Sequence, residues 1–414
     1  MNTIVSITPT RLEADSRTYK IAASFRRFGF VSIVVEGQPS ALDPSALPFE
    51  LRTIHDFIFP SRRAMSGEPA THTTQQSVTE RIWRTLADST PILLFLFLFW
   101  YLLRGIVVPL KYIPKASLYY LHEYSLYPAV YVLSKRYNAP IVYDAHDFYR
   151  AILSPKEVAK RSFGWRWVMA FGQRVESHLV RNASAVVTVS KGIADLYEHT
   201  FGRRPIVIRN CHDLRIDREP VSNLRESLAL SSGQLLVVAV GNCKQGMAIR
   251  ETLEAMTELP SDVHLAFVGR FYDQYLPDIH RRHLQDRVHI VGPVKLFELV
   301  PFVRTADAAI LPYYARSPNY KNCLPNGLFQ SIAAMLPIFY PSLPEIRGIA
   351  ERYSIGTSIE PLVPRSISTA IIALANDAQR MSQYRMNLAV AAQDLAWEKE
   401  ETILEDLVLR ILGQ

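Results

Sequence analysis

The chain has 414 residues, and at about 150 residues per domain this length predicts two domains, or three. Hydrophobic residues make up 49% of the chain and charged residues 21%, which excludes a chain that is disordered as a whole. There are 46 lysines and arginines against 39 aspartates and glutamates, a net charge of +7. This mildly basic balance fits an anionic ligand or a membrane surface, and we expect no nucleic acid partner.

The cysteines and the N-terminal sequence bear on the compartment. Cys211, Cys243 and Cys323 lie far apart in the sequence, which predicts neither a zinc site nor a disulfide framework. A reducing, cytoplasmic setting is therefore expected. The opening sequence MNTIVSITPT has no basic segment followed by a long apolar stretch, so we expect a β-strand here and no signal peptide.

The sequence PILLFLFLFWYLLRGIVVPL, at 91–110, is a strongly apolar run. Its uninterrupted part, 92–103, is short for a membrane span, and Arg104 follows it. Strand-like segments at 4–8 and 117–122 flank the run and are predicted to share one sheet, which a single crossing would divide. Basic residues surround it: Arg62, Arg63, Arg81, Arg84, Lys111 and Lys115. We favour an interfacial segment that contacts an anionic membrane surface; a buried helix and a true span are the alternatives.

Apolar runs of strand length alternate with stretches of helical period along most of the chain. In the first half, strands are predicted at 3–8, 31–36, 117–122, 141–145, 185–189 and 206–208, and helices at 18–28 and 165–181. In the second half, strands are predicted at 235–240, 265–268, 288–291, 308–311 and 337–340, and helices at 247–258, 297–305, 326–335 and 367–377. Strands made of continuous Val, Ile and Leu runs indicate parallel sheets with helices on both faces.

This alternation predicts an α/β protein with two doubly wound, Rossmann-like domains. We expect a first domain at 1–210, a polar linker at 211–233, a second domain at 234–395 and a C-terminal helix at 396–414. In open α/β sheets, ligands bind beyond the carboxyl ends of the strands, and with two such domains the cleft between them is the default site. Residues directly after strands are therefore the candidates for function.

Two pairs of ionisable residues follow strands of the first domain. His122 and Glu123 come directly after SLYYL, and Asp144 and His146 follow PIVY. The imidazole of His146 could hydrogen-bond a sugar hydroxyl or stabilise developing charge. The plainer alternative is that Asp144 or Asp147 caps the next helix and that His146 is a core histidine with satisfied hydrogen bonds.

Two polar segments of the second domain have the features of an anion or ligand site. In GNCKQG, Gly241 and Gly246 would let the backbone approach a phosphate at a helix N-terminus, and Lys244 could add a charge. This pattern is neither GxGxxG nor a P-loop, so an ordinary strand-to-helix turn is equally compatible. In SPNYKNCLPNGLFQ, Asn322 and Gln330 are eight residues apart and could face one ligand, or the loop could only cap a helix.

Together these segments resemble the retaining, two-domain GT-B glycosyltransferases of family 4. DSRTYKIAASFRRFGFVSIVVEG is similar to the start of that family, LHEYSLYPAVYVLSKRYNAPIVYDAHDFY to its acceptor domain, and SAVVTVSKGIADLYEHTFGRRPIVIRN to the end of that domain. PVKLFELVPFVRTADAAILPYY and LPNGLFQSIAAMLPIF resemble its donor domain. The resemblance covers nearly the whole chain and implies two facing domains, with 396–414 packing back on the first.

The resemblance also implies an activity. It indicates a metal-independent, retaining hexosyltransferase that moves a sugar from a nucleotide-sugar to a glycan or lipid-linked acceptor, for cell-surface polysaccharide or glycolipid synthesis. No Asp-x-Asp motif is present, and no cofactor is expected beyond the nucleotide-sugar as co-substrate. Such an enzyme would act in the cytoplasm, peripherally associated with the inner face of the membrane.

Site residues follow from the same resemblance. His146, in YDAHD, corresponds to the active-site histidine near the sugar, and His122, Glu123 and Asp144 are implied on the acceptor side. The implied donor-binding residues are Gly241, Asn242, Lys244, Gly246, Arg270, Asn322, Asn326 and Gln330.

The donor segments depart from the family pattern in charge. The family places Arg and Lys after the first donor strand, where this chain has Asn242 and Gln245, and it has two glutamates where this chain has Asn322 and Gln330. A subgroup with LPNKLFE keeps a lysine at the position of Gly327. An amide can still bond a ribose hydroxyl, but a hydrogen bond without charge is about half as strong. The candidates to compensate are Lys244, Arg250, Arg270, Arg316 and Lys321.

Two other classes of function compete with transfer. A degenerate glycosyltransferase could act as a binding or regulatory partner, because a shared fold does not guarantee a shared activity. Another two-domain enzyme, such as a sugar epimerase of similar architecture, is the third possibility. Basic residues close to the donor phosphates would distinguish active transfer from the degenerate case.

Overall fold

The computed structural model describes residues 1–55, 103–152, 155–159 and 163–413. Within these ranges the chain divides into two units, Met1–Ile208 with Glu401–Gln414 and Arg209–Glu400. Each unit has its own hydrophobic core around one sheet, and every strand pairing in both sheets is parallel.

The sheet of the first unit has seven strands in the order β3-β2-β1-β4-β5-β6-β7. These are β1 (Thr3–Thr8), β2 (Val31–Glu36), β3 (Glu50–Thr53), β4 (Leu118–Leu121), β5 (Ile141–Asp144), β6 (Ala185–Thr188) and β7 (Ile206–Val207). The helices are Ser16–Arg27, 103–112, Tyr127–Tyr137, Pro155–Ala159, Phe163–Asn182 and Lys191–Phe201. The strand order reverses between β1 and β4, which makes the unit doubly wound.

The sheet of the second unit has six strands in the order β10-β9-β8-β11-β12-β13, the same arrangement shifted along the chain. These are β8 (Leu235–Val240), β9 (Val263–Val268), β10 (Val288–Val291), β11 (Ala308–Ile310), β12 (Ile338–Pro341) and β13 (Gly356–Ile359). The helices are Leu224–Ser227, Ile249–Thr257, Leu276–Arg281, Leu299–Val303, Pro318–Lys321, Asn326–Ala333, Pro344–Tyr353, Pro364–Ala375, Ala378–Asp394 and Trp397–Leu412, whose last residues belong to the first unit.

Local sequence explains where several helices begin and end. The Asp15 side chain accepts the Thr18 N–H at 3.0 Å and so caps the helix Ser16–Arg27. Ser190 caps the helix Lys191–Phe201 in the same way, and Gly202 ends it in the left-handed conformation, with φ +66°.

Some element boundaries differ from the sequence prediction. The predicted helix 326–335 ends at Ala333 because Met335 takes a left-handed φ of +62°. Strands β3 and β13 were not predicted, since both are short, partly exposed edge strands without a continuous apolar run. Residues 211–233, the predicted linker, fall within the second unit. There Arg225 donates to Thr305 O at 3.1 Å and to Asp307 Oδ2 at 2.6 Å.

The apolar run at 91–110 lies partly outside the described residues, which begin again at 103 with the helix 103–112. The strands on either side of it share one sheet, as predicted, and β1 pairs directly with β4, with Ile4 opposite Leu118. Among the helices of the described ranges, none is long and apolar enough to span a membrane.

A buried ion pair connects three elements of the first unit. The Arg17 guanidinium donates to both oxygens of Asp144 at 2.8 and 2.9 Å, and also to Ile208 O at 2.9 Å. The two side chains are 4% and 0% exposed. This pair therefore joins the helix Ser16–Arg27 to β5 and to the residue that follows β7.

We expect Arg17→Ala to lower the free energy of unfolding by about 3–5 kcal/mol, because it leaves the Asp144 carboxylate buried without its cation. The matched control is Arg347→Ala, since Arg347 and Glu351 are also 2.8 Å apart but are both 53% exposed. There the loss should be far smaller, because solvent screens an exposed ion pair. Urea unfolding of both variants measures this, and equal losses would contradict a role for burial.

Candidate functional site

The candidate residues of the first unit lie at the carboxyl ends of its central strands. His122 and Glu123 follow β4, Asp144 ends β5, and His146 comes two residues later. His122, Glu123 and Asp144 are buried, with exposures of 1%, 3% and 0%, whereas His146 is half-buried. The structure thus places His122 and Glu123 after β4, beside the reversal of strand order where open α/β sheets bind ligands, and Asp144 and His146 at the end of the neighbouring strand β5.

Asp144 is engaged inside the unit. Both of its oxygens accept from Arg17, and the Tyr120 hydroxyl donates to Oδ2 at 3.3 Å. Such a buried, fully bonded carboxylate favours a structural role over the direct acceptor contact that the sequence predicts. Among the described residues it also makes no helix-capping hydrogen bond, which was the plainer alternative for Asp144.

His122 is held as a neutral ring. Burial lowers the pKa of His122 to about 4, although the nearby Asp144 acts in the opposite direction. Its Nδ1 lies 3.5 Å from Asp144 Oδ2, and neither ring nitrogen makes a hydrogen bond to any residue of the described ranges. A neutral imidazole can both donate and accept a hydrogen bond, which suits a hydroxyl-bearing ligand.

Asp15 belongs to the same group, and the sequence did not single it out. Burial alone would raise the pKa of Asp15, yet the nearby His122 and His146 and the hydrogen bonds from Thr18 lower it. Asp15 follows β1 by seven residues and caps a helix, and that capping position was its visible signal in the sequence. The structure therefore brings His122, His146 and a carboxylate together.

Glu123 has an unusual backbone conformation for its residue type. Its φ of +124° and ψ of +144° lie in a region that strongly favours glycine. A non-glycine residue held there stores about 1–3 kcal/mol of strain, and such residues cluster at functional sites. Glu123 therefore remains a candidate site residue, because it lies directly after β4 and has a strained backbone.

In the second unit, the turns after β8 and β9 are joined backbone to backbone. Gly241, with φ +116°, donates its N–H to Val268 O at 2.9 Å, and the Asn242 side chain accepts the Arg270 N–H at 3.0 Å. A Cβ on Gly269 would lie 2.3 Å from Gly241 O, so only glycine fits there. The Asn242 side chain thus holds the two turns together.

Arg316 lies directly over the turn that ends at Gly246. A Cβ on Gly246 would meet Arg316 Cδ at 2.2 Å, and the φ of Gly246 is +90°. Tyr314 donates its N–H to Gly246 O at 3.0 Å, and the guanidinium carbon of Arg316 is 5.5 Å from the centre of the Tyr320 ring. Gly246 therefore makes room for a cation beside the turn.

The helix Asn326–Ala333 begins against the end of β8. A Cβ on Gly327 would lie 2.5 Å from Val240 O, so the glycine permits this close approach. Asn326 accepts a hydrogen bond from the Asn210 amide at 2.7 Å, and Gln330, one turn further along, is half-buried. The first N–H groups of this helix and the Gly241 turn are thus at the same end of β8.

Some of the remaining predicted donor-site residues bond to other side chains or backbone groups, and others are exposed. The Asn322 amide donates to Pro318 O at 2.9 Å, which is the loop-capping role that the sequence left open. Arg250 pairs with Asp278 at 3.2 Å. Lys244 and Arg270 are exposed near the two turns. Across the described residues, no group of three His, Cys, Asp or Glu side chains could hold a metal ion.

Comparison with known proteins agrees with this layout. Residues 234–377 match the family model of glycosyl transferases group 1. No curated protein matches the chain.

Solved structures are similar over nearly the whole length. Sucrose-phosphate synthase from Thermosynechococcus elongatus shares 15% identity over 99% of both chains, with a TM-score of 0.69. Anabaena HepE, solved in complex with UDP-glucose, gives the same identity, coverage and TM-score. WaaG, a glycosyltransferase involved in lipopolysaccharide biosynthesis, shares 15% identity over 97% of this chain and 99% of its own, with a TM-score of 0.64. At this identity the likeness shows the fold alone, and it confirms the predicted GT-B class of two Rossmann-like domains.

The buried His122 should make stability depend on pH. Its pKa is about 4 in the folded state against about 6.5 in the unfolded state, so the unfolded state binds more protons between these values. The free energy of unfolding should therefore fall by up to about 3 kcal/mol as the pH drops from 6.5 to 4. His122→Asn should lack this part of the decline. Urea unfolding at pH 7 and pH 4.5 tests it, and parallel declines in the two proteins would contradict it.

Proposed function

We propose that the chain is a glycosyltransferase that moves a hexose from a nucleotide-sugar to a glycan or lipid-linked acceptor. One observation supports this most directly. The segment that matches the group 1 family, 234–377, contains both the glycine turn after β8 and the helix that Gly327 lets approach it. Backbone N–H groups at such a turn and at a helix N-terminus bind phosphate.

The donor diphosphate in this proposal contacts the turn from Gly241 to Gly246 and the Arg316 guanidinium. The relatives with LPNKLFE have a lysine where this chain has Gly327, and a side chain at that position would collide with Val240 O. Arg316 supplies a cation from the other side of the turn instead. Arginine binds phosphate through two parallel hydrogen bonds, which suits it to this role.

The other side chains that we assign to the donor pocket include more neutral residues than the resembled family has there. Gln330 hydrogen-bonds the ribose, since its amide has both a donor and an acceptor. Asn326 and Asn322 border the sugar side, and Lys244 and Arg270 add positive charge at the rim.

The transfer step needs no nucleophile from the protein. The bond from the anomeric carbon to the diphosphate oxygen breaks, the acceptor oxygen bonds the same carbon with retention, and its proton passes to the departing phosphate. Arg316 and the backbone amides stabilise the charge on that phosphate. His146 orients the sugar and stabilises the positive charge that develops on it, while His122 and Glu123 contact the acceptor.

A lipid-linked acceptor and peripheral membrane association complete the proposal. Apolar residues are exposed on two helices of the first unit: Leu103 and Val107 on 103–112, and Trp167 and Phe171 on Phe163–Asn182. Arg166 and Arg174 are exposed on the second of these helices. Exposed aromatic residues beside arginines suit the surface of an anionic membrane.

Calorimetry with UDP-, GDP- and dTDP-sugars tests the donor site. With the nucleotide that binds, Arg316→Gln should weaken the diphosphate at least tenfold, because a charged hydrogen bond contributes about 1.5–3 kcal/mol. Binding of the free nucleoside should not change. Gln330→Ala should weaken nucleoside and nucleotide alike.

Arg250→Gln is the control, since Arg250 is paired with Asp278 and should not affect affinity. Binding without transfer or hydrolysis would favour the degenerate binding partner. No binding of any nucleotide-sugar would refute the donor site.

His146→Ala should lower turnover by roughly 100-fold or more, the typical effect of removing one preorganised polar contact to developing charge. Donor affinity should change little, because that charge exists mainly in the transition state. The assay uses the confirmed donor, with lipid-linked acceptors in anionic vesicles and soluble glycans offered separately. Near-normal turnover would make His146 an ordinary structural histidine.

A further inference from the structure

A buried carboxyl group lies beneath the segment that bears His146. Glu176, on the helix Phe163–Asn182, is 1% exposed, and two fully buried tyrosines surround it. The Tyr197 hydroxyl is 2.5 Å from Glu176 Oε1, and the Tyr143 hydroxyl donates to the same oxygen at 3.2 Å. Glu176 Oε2 is buried and accepts no hydrogen bond from the described residues.

Tyr197 also contacts the segment that follows β5. Its hydroxyl is 3.3 Å from Asp147 O, and its ring packs edge-on against Phe148, with centroids 5.2 Å apart. Asp147 and Phe148 directly follow His146. On the other side of His146, the Ala145 N–H donates to Val187 O at 2.8 Å. Tyr197 is therefore one of the anchors of the His146 segment.

The Tyr197 hydroxyl has one proton and two acceptors within reach. When Glu176 is ionised, the Tyr197 hydroxyl donates its hydrogen bond to the carboxylate, because a hydrogen bond to an ionised acceptor is roughly twice as strong as one to a neutral carbonyl. A protonated Glu176 instead donates its own proton to the Tyr197 oxygen across the same short contact. The Tyr197 proton can then turn to Asp147 O.

We propose that Glu176 and Tyr197 are positioning residues, in which a proton on Glu176 decides whether the Tyr197 hydroxyl holds the segment that bears His146. One proton enters from solvent when the segment is held and leaves when it is released. The inference rests on the proposed function only where it links this segment to turnover.

The environment of Glu176 places this switch in the neutral range. Burial raises the pKa of Glu176 to about 7, against the hydrogen bonds from Tyr197 and Tyr143 and the charge of Arg150, which lower it. The titratable and charged groups that act on it are Tyr143 on β5, Tyr197 on the helix Lys191–Phe201 and Arg150 after β5, and Tyr149 interacts with both tyrosines. Arg150 also donates a hydrogen bond to Ser177 Oγ at 2.5 Å, which holds its guanidinium against the helix Phe163–Asn182.

The turnover number should accordingly be higher at pH values below the Glu176 pKa, where Glu176 is protonated, than above it; this change with pH is the transition. In Glu176→Gln the neutral amide donates to Tyr197 at every pH, so the turnover number should lose the transition and stay near the value of the protonated wild type. In Tyr197→Phe the tether is missing, and turnover should be roughly fivefold to tenfold lower at low pH, the kinetic equivalent of one neutral hydrogen bond. KM for the donor should not change in either variant.

Tyr143→Phe is the matched control. Tyr143 donates to Glu176 and makes no hydrogen bond to the His146 segment within the part of the chain that the structure describes, so the transition should persist in this variant. Loss of a bond that lowers the Glu176 pKa should move the transition to higher pH. A transition that persists unshifted in Glu176→Gln would overturn the proposal.

A second measurement needs neither activity nor a variant. The backbone 15N shift of Phe148 reports the hydrogen bond accepted by Asp147 O and can be followed from pH 5.5 to 8.5 in 15N-phenylalanine-labelled protein. It should titrate near pH 7 in the wild type and stay constant in Glu176→Gln. Titration of Phe148 in a protein without transferase activity would support the switch and refute the proposed function. A Phe148 shift that does not titrate in the wild type would overturn the switch, whatever the activity.

Discussion

In both units the strand order reverses beside the first strand, between β1 and β4 and again between β8 and β11. Helices that follow the strands on either side of such a reversal cover opposite faces of the sheet, so the carboxyl ends of those strands are not covered by a helix. The chain must turn sharply there. In the second unit a glycine, Gly241, makes the turn after β8, whereas in the first unit Glu123, after β4, occupies a backbone region that favours glycine. The residues that we assign to function follow these strands or their immediate neighbours in the sheet.

Close backbone approach and positive charge compete at the turn after β8. A lysine at 327 would provide charge, but the helix would then have to move away from Val240 O, and its N–H groups would move with it. Gly327 keeps the helix close and leaves the charge to be supplied elsewhere. Gly246 makes the corresponding space for Arg316. In the proposed donor site, Gly327 and Gly246 would leave the positive charge to Arg316, so the neutral residues at 242 and 330 do not by themselves exclude a diphosphate.

The sequence predicted the fold well because its signal is local. Buried parallel strands such as LLVVAV are continuous apolar runs, and nearly all of them were predicted within a residue or two. The edge strands β3 and β13 lack that signal, and the polar segment 211–233 resembles a linker although Arg225 anchors it to the second unit. The sequence predicted that the candidate residues follow strands, as they do in the structure, but it did not reveal what they contact. That Arg17 engages Asp144, and that Arg316 covers Gly246, depends on residues that are distant in sequence, which no spacing rule reveals.

The two buried carboxyl groups of the first unit show how neighbours determine what a residue can do. Asp144 and Glu176 are both almost inaccessible to solvent. Asp144 receives two hydrogen bonds from a guanidinium, whereas the hydrogen bonds that Glu176 accepts from the described residues come from tyrosine hydroxyls. A carboxylate bonded to arginine has its charge compensated and holds one fixed geometry. A carboxylate bonded only to neutral donors keeps a large desolvation penalty, so it binds a proton more readily. The His146 segment begins directly after the first of these groups and contacts Tyr197, which bonds the second. The Arg17–Asp144 ion pair thus holds the start of that segment, while Tyr197, which bonds Glu176, contacts the residues after His146.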